Sequence, residues 1–436
     1  MENQMLLEIS DFRPISEAKI DLKKINVIAG NNGSGKSTSS KLLFCFLTAV
    51  SKEGIYLANR SLYDNLIKFI LEWNNKLNNK FGSINLPQNS LYNKYLYNDL
   101  FELSAQLENI AVNEDFPDKN SFFDKLHEIN HLIDLNKNDY DRIERVVKSV
   151  LSKEFNSEFR RFDNTLVKFY GNFENCEFFH KILLGGISGA SVHNKGELNC
   201  LPFENILYID STSIFEIPDK QSLISFVLDE ENNDFNLPYH VEYLSKLLKK
   251  KKRNPDVYDV SNQKIEDIKI RINELIKGNI YFDESENTFK FKTSNNSYSM
   301  KNTASGIKQF GVISLLLENE QLKESSFLII DEPEVNLHPE WQIRFAEILV
   351  LLAKEANIYL YINSHSPHFI EALEVFSAKE GLDGESKFYL SEELENDKFS
   401  FREIKRKHLN VLYDNLGRPY DEIDKIRMEN VFNGIE

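Results

Sequence analysis

Residues 25–47 read INVIAGNNGSGKSTSSKLLFCFL, and the fold turns on them. The opening run INVIAG (25–30) is too short for a core helix. It is apolar on successive residues, as expected of a strand buried on both faces of a sheet. GNNGSGKST (30–38) then fits G-x-x-x-x-G-K-[ST] in full, and KLLFCFL continues as a helix, which is the context this pattern requires. Gly30, Gly33 and Gly35 permit backbone conformations in which successive N–H groups turn inward toward phosphate oxygens. The helix that follows adds the positive end of its dipole. The whole loop, with Asn31, Asn32, Ser34 and Thr38 completing it, is expected to cradle a nucleotide phosphate chain. Lys36 would bridge the β- and γ-phosphates, and the Ser37 hydroxyl would ligate Mg²⁺.

Two further apolar runs share this character: FLII at 327–330 and IYLYI at 358–362. Each stops at a polar cluster, Asp331-Glu332 in one case and Ser364-His365 in the other. Ligands of open α/β sheets bind at the carboxyl ends of strands, so three such strands outline one site. Asp331, at a strand end, is placed to hold Mg²⁺ directly or through water. Glu332 lies where an attacking water needs a base, and Pro333 stiffens the exit from the strand. His365 ends the third strand and is expected to sense the γ-phosphate. The fold class expected is α/β, a P-loop NTPase.

Ser305-Gly306 precede an amphipathic stretch carrying Ile307, Phe310, Ile313, Leu316 and Leu317. Serine before such a run is a good helix N-cap. A helix N-terminus with a free hydroxyl is also an anion-binding end, and here it would face the phosphate held by a second subunit.

Working outward, the chain has 436 residues, enough for two or three domains and a sizeable core. Lys plus Arg number 52 against 68 Asp plus Glu, a formal net charge of −16, which argues against coating nucleic acid by bulk electrostatics. Three scattered cysteines (Cys45, Cys176, Cys200) make neither a disulfide framework nor a zinc ribbon and suit a reducing interior. MENQMLLEIS lacks the basic and apolar regions of a signal peptide, and no run of 18 apolar residues is present. A soluble, cytoplasmic protein is expected. Residues 1–55 are read as the first part of the ATPase head, 56–200 as a helical insertion, and 201–436 as the rest of the head. Leu62, Leu66, Phe69, Ile70 and Trp73 carry the helical spacing of the insertion, with Pro87 and Pro117 its clearest breakers. ENILYID (204–210) returns to strand-like sequence, and IYFDESENTFKFK (280–292) suggests a hairpin around Glu284–Asn287. HEINH (127–131) matches the zinc-protease pattern through His127 and His131, yet no third ligand follows and its flanks read as an ordinary amphipathic helix. The acidic DEENND run and the basic Lys249–Arg253 run read as solvated, the latter leaving nucleic acid as a candidate partner.

The Gly30–Thr38 loop, Ser305-Gly306, the run DEPEVNLHP from Asp331 to Pro339, and Ser364-His365-Ser366-Pro367 resemble the ATPase heads of the ABC superfamily. Within it the SMC-like branch, and there the overcoming-lysogenization-defect (OLD) type, is most similar. The resemblance implies a head-to-head homodimer with ATP and Mg²⁺ held between one subunit's phosphate loop and the other's signature helix. It implies phosphate and metal contacts from Lys36 and Ser37, metal binding by Asp331, and Glu332 as base. It further implies a trans contact from Ser305 and Gly306, Asn336 in the dimer-facing loop, and His365 as switch. The signature here reads S-G-I-K-Q, with Ile307 where a second glycine belongs, so Lys308 is an alternative contact. Gln221 is the residue offered for the Q-loop. The OLD type carries a Toprim nuclease after its head, for which the stretch after His368 is short, so any nuclease is expected in another chain. The function implied is an ATP hydrolase that drives or regulates a separately encoded effector, a nuclease or toxin, in bacterial anti-phage defence. The alternatives are a scaffold that sequesters a toxic effector through the insertion, and an SMC-like DNA-end clamp.

Overall fold

A computed structural model describes residues 4–74, 76, 96–156, 165–173, 176–184, 190–196, 203, 205–210, 212–215, 237–250 and 260–432. In chain order these form β1 (Gln4–Phe12), β2 (Ile15–Leu22), β3 (Ile25–Ala29), α1 (Lys36–Val50), α2 (Lys52–Asn74), α3 (Leu96–Val112), α4 (Lys119–Lys137) and α5 (Asp139–Glu154). Next come β4 (Thr165–Phe173), β5 (Cys176–Leu184), β6 (Ala190–Gly196), β7 (Ile206–Ile209), α6 (Tyr239–Leu248), α7 (Val260–Ile276), β8 (Asn279–Asp283), β9 (Thr288–Lys292) and β10 (Ser297–Ser299). The chain continues with α8 (Ser305–Glu318), β11 (Phe327–Asp331), α9 (Pro339–Glu355), β12 (Tyr359–Ser364), α10 (Pro367–Lys379), β13 (Ser386–Glu393), β14 (Phe399–Ile404) and α11 (Asn410–Phe432).

An 11-stranded sheet runs in the order β6-β5-β4-β1-β2-β14-β13-β3-β12-β11-β7. The five strands from β13 to β7 are parallel and the wing beyond β2 is antiparallel. β3 and β11 are buried at every residue, as their unbroken apolar runs require. Register places the site: Ala29 pairs with Ser364 and Leu390, Asp331 with Asn363, and Ile330 with Ile209. The loop after β3, the acids after β11, the histidine after β12 and Asp210 after β7 therefore leave one edge of the sheet together.

Among the described residues, the stretch expected to be a helical insertion is helical only to Glu154. β4 pairs with β1, and β5 and β6 extend the sheet from it. Its helices also divide between two cores. Leu62, Leu66, Phe69, Ile70 and Trp73 pack with α3 and α4 in a core of their own, whereas Ile143, Val146, Val147, Val150 and Leu151 of α5 join the main core. A separate three-stranded sheet, β10-β9-β8, contains the expected hairpin. Gln221, Pro87, Cys200, the acidic run at 229–234 and residues 251–253 of the basic run lie outside the described residues. Among the described residues, no helix is long and apolar enough to cross a membrane.

Candidate active site

Gly30, Gly33 and Gly35 all have positive φ (156°, 77° and 89°). At Gly35 a Cβ would also lie 2.6 Å from Ile15 Cγ1, so only glycine lets the loop enter α1 here. Lys36 is buried, and its Nζ donates to the carbonyls of Gly30 and Asn31, each at 2.8 Å. Burial lowers its pKa, with Glu332, Asp331 and Glu334 acting in the opposite direction. Asn31, Asn32 and Gly33 stand exposed at the loop tip, and Ser34 is buried with no partner for its hydroxyl.

Asp331 is buried at the end of β11. Tyr208 OH donates to its Oδ2 at 2.6 Å, Ser40 Oγ to its Oδ1 at 3.2 Å, and Asn363 Nδ2 to the same Oδ1. Burial raises its pKa, while hydrogen bonds from Tyr208, Ser37, Asn363 and Ser40 pull against that rise. All four partners are neutral, so the hydrogen bonds orient the carboxylate without cancelling its charge. A cavity of about 350 Å³ opens beside it, lined by Ser37, Lys41, Asp210, Gln309, Asp331, Glu332, Val335 and Asn336.

Glu332 leaves the strand with φ 47°, its N–H donating to Asn363 O at 2.9 Å. That turn directs Glu334 inward, where Oε1 accepts from Ser364 Oγ (2.8 Å), His365 N (2.8 Å) and Ser366 N (3.1 Å). Burial raises the Glu334 pKa against these bonds. His365 Nδ1 lies 3.5 Å from Glu332 Oε1 and 3.3 Å from Glu334 Oε1, so the imidazole stands between the two acids. Ser305 is the first residue of α8, and the N-cap is Ala304. The Ser305 hydroxyl does not cap its own helix, because it lies one residue inside it. It donates instead to Asn336 O at 3.2 Å. Gly306 is held against Trp341, 2.9 Å from where a Cβ would stand. Lys308 is buried, its Nζ donating to Lys301 O at 3.2 Å.

Of the residues singled out in the sequence, Ser37, Asp331, Glu332 and Asn336 share the cavity and Lys36 lies in the loop at its edge. His365 contacts Glu332, and Ser305 contacts Asn336. Sequence reasoning passed over Glu334, Tyr208, Asn363 and Asp210. Asp210 ends the apolar run ILYI as Asp331 ends FLII, so the same signal would have found it. His127 and His131 are both exposed on α4, and no group of three or more His, Cys, Asp or Glu side chains gathers for a metal among the described residues.

A sheet with a parallel half, a glycine-rich loop between β3 and α1, and a buried aspartate ending β11, separated from β3 by β12, defines a P-loop NTPase. The model of the AAA ATPase domain family matches residues 5–370, and the chain belongs to that family. Among solved structures, the chain is similar to the SMC head domain from Thermotoga maritima at 11% identity and TM-score 0.40, covering 92% of this chain and 99% of that one. The SMC head bound to the C-winged helix domain of ScpA gives 9% identity and TM-score 0.44, with coverage of 94% and 100%. A Pyrococcus furiosus SMC head with an extended coiled coil, bound to the C-terminal domain of ScpA, gives 10% identity and TM-score 0.40, with coverage of 98% and 100%. No curated protein matches the chain.

Proposed function

We propose that the chain binds ATP with Mg²⁺ in the cavity beside the phosphate loop and hydrolyses it to ADP and phosphate. One observation carries the reading: a hydroxyl (Ser37), a buried carboxylate (Asp331) and a second acid (Glu332) converge on one cavity next to the loop of Gly30–Thr38. The donor set suits Mg²⁺, which binds through hard oxygens, one or two carboxylates and substrate phosphates. Asp331, buried among neutral donors, is the carboxylate a cation would neutralise, and Ser37 is its neighbour. The ion would supply charge neutralisation at the phosphates. The loop N–H groups and Lys36 bind and orient the phosphate chain, Lys36 leaving the Gly30 and Asn31 carbonyls to do so. Glu332 takes the proton of the attacking water, and His365, held between Glu332 and Glu334, steadies that base.

The finer reading is an OLD-type head without its own nuclease. It would work as a head-to-head homodimer and gate a separately encoded nuclease or toxin in anti-phage defence. The run DEPEVNLHP and the exposed Val335 beside Ser305 and Asn336 support a dimer face at the cavity rim. The head would comprise residues 1–55 and 201–436 together with α5 and β4–β6, leaving α2–α4 as the inserted helical part.

Glu332→Gln is expected to bind ATP, lose turnover by about a hundredfold or more, and run as an ATP-dependent dimer in light scattering. Undiminished turnover would overturn the base. Lys36→Ala is expected to abolish ATP binding in a fluorescent-nucleotide titration, and retained affinity would refute the loop assignment.

A further inference from the structure

Three titratable side chains outside these motifs form a buried ionic chain that starts in the cavity. Asp210, the residue after β7, lines the cavity with Ser37 and Asp331. Its Oδ2 lies 2.9 Å from His240 Nε2, and His240 Nδ1 lies 2.7 Å from Glu154 Oε2. Glu154 Oε1 also accepts the His240 backbone N–H at 2.7 Å. The His240 and Glu154 side chains are fully buried, while Asp210 keeps 36% of its side chain exposed on the cavity side.

His240 Nδ1 is hydrogen-bonded to Glu154 and Nε2 stands at ion-pair distance from Asp210, a setting that favours the imidazolium. Burial works against that charge, but the bonds to Asp210 and Glu154 prevail and raise its pKa to about 9. Buried ionic triads are poor stabilisers, since apolar residues of the same volume do as well or better. Stability alone is therefore a weak reason for this one. Its placement is more informative. Glu154 is the last residue of α5, whose neighbours α2 and α4 carry the separate helical core. The Tyr208 ring packs on His240 with centroids 4.5 Å apart, and its hydroxyl donates to Asp331. One imidazolium thus touches α5, which leads to the arm, the separately cored α2–α4 unit, together with a cavity carboxylate and the tyrosine that orients Asp331.

We propose that His240 is a positioning residue of the nucleotide site: clamped by Glu154 from the arm side, it fixes the Asp210 carboxylate so that Asp210 orders water beside the phosphate chain. This rests on the cavity being the ATP site. Asp210 is an anion beside an anionic ligand, and His240 with the cavity-lining Lys41 balances its charge. Removing the imidazolium would leave the carboxylate free to swing away from the water it orders.

The test measures kcat and ATP affinity separately for Asp210→Asn, His240→Gln, Glu154→Gln and the Asp210→Asn/His240→Gln double variant. Each single variant is expected to lose about tenfold or more in kcat while the ATP Kd moves less than about threefold. The double variant should fall no further than the worse single one, because both act through one carboxylate. A wild-type kcat in His240→Gln, or losses that multiply in the double variant, would overturn the proposal. Asp210→Asn sits at the cavity surface and leaves the core filled, so its wild-type kcat would overturn the proposal even if His240→Gln failed to fold. Wild-type protein that turns over no ATP would sink the ATPase reading and this proposal together; active protein with unaffected variants would sink this proposal alone.

Discussion

His240 keeps its proton well above the usual histidine range, with a pKa near 9 against an ordinary value of 6.5. A folded-state pKa raised in this way makes stability fully present below pH 6.5 and lost as pH climbs through about 9. Thermal unfolding of the wild type should therefore show a Tm that declines between pH 6.5 and 9 more steeply than that of His240→Gln. Parallel slopes would mean the triad is not ionised as described. The same residue marks the limit of what sequence could give. Lys36, Ser37, Asp331 and Glu332 are legible because each sits in a short contiguous pattern at the end of an apolar run. His240 and Glu154 are 86 residues apart, and no local pattern joins them. Glu334 was in plain view in DEPEVNLHP, but only the positive φ of Glu332 reveals that its carboxylate turns inward to the backbone of His365.

Among the elements, strands of the parallel half covered on both faces are readable and those of the antiparallel wing are not. β3, β11 and β12 announce themselves because both faces are covered, which demands apolar residues in succession. β4 reads TLVKFYGNF, a polar-apolar alternation inside a stretch rich in Leu, Asn and Lys that suggests helix. What makes it a strand is β1, with which it pairs from Gln4↔Asn172 to Ser10↔Leu166, and Lys168 and Tyr170 both reach Glu8 across that pairing. Gly171 is the tight point, because a Cβ there would run into the carbonyl of Gln4. Gly171→Ala should push β4 away from β1 and cost about 1–3 kcal/mol, the usual penalty of overpacking. ATP affinity should be retained, since the phosphate loop lies across β2, β14 and β13 from this pairing. Denaturant unfolding alongside nucleotide titration checks both parts, and an unchanged midpoint would show that the strands accommodate the methyl group.

The whole molecule carries a net charge of −16, so in the proposed function attraction for phosphate would come from loop N–H groups, Lys36 and Lys41 rather than from the surface. Among the described residues it is also built on two hydrophobic cores, and the division does not follow the helical run in the sequence. α5 lays Ile143, Val146, Val147, Val150 and Leu151 into the head, while Trp73, Phe69, Phe116 and Phe122 fill the arm. Trp73 is 1% exposed and meets Phe122 edge-on at 5.4 Å, so Trp73→Ala empties the centre of the smaller core. A loss of about 3–5 kcal/mol is expected for such a truncation. A core confined to three helices should open locally rather than take the head with it. Hydrogen exchange should then accelerate in α3 and α4 while α1 and α5 keep their protection and ATP binding is unchanged. Protection lost evenly from α1 to α5, with weakened ATP binding, would instead make arm and head one cooperative unit. Retained protection at α5 would leave the Glu154–His240–Asp210 chain intact even with the arm loosened.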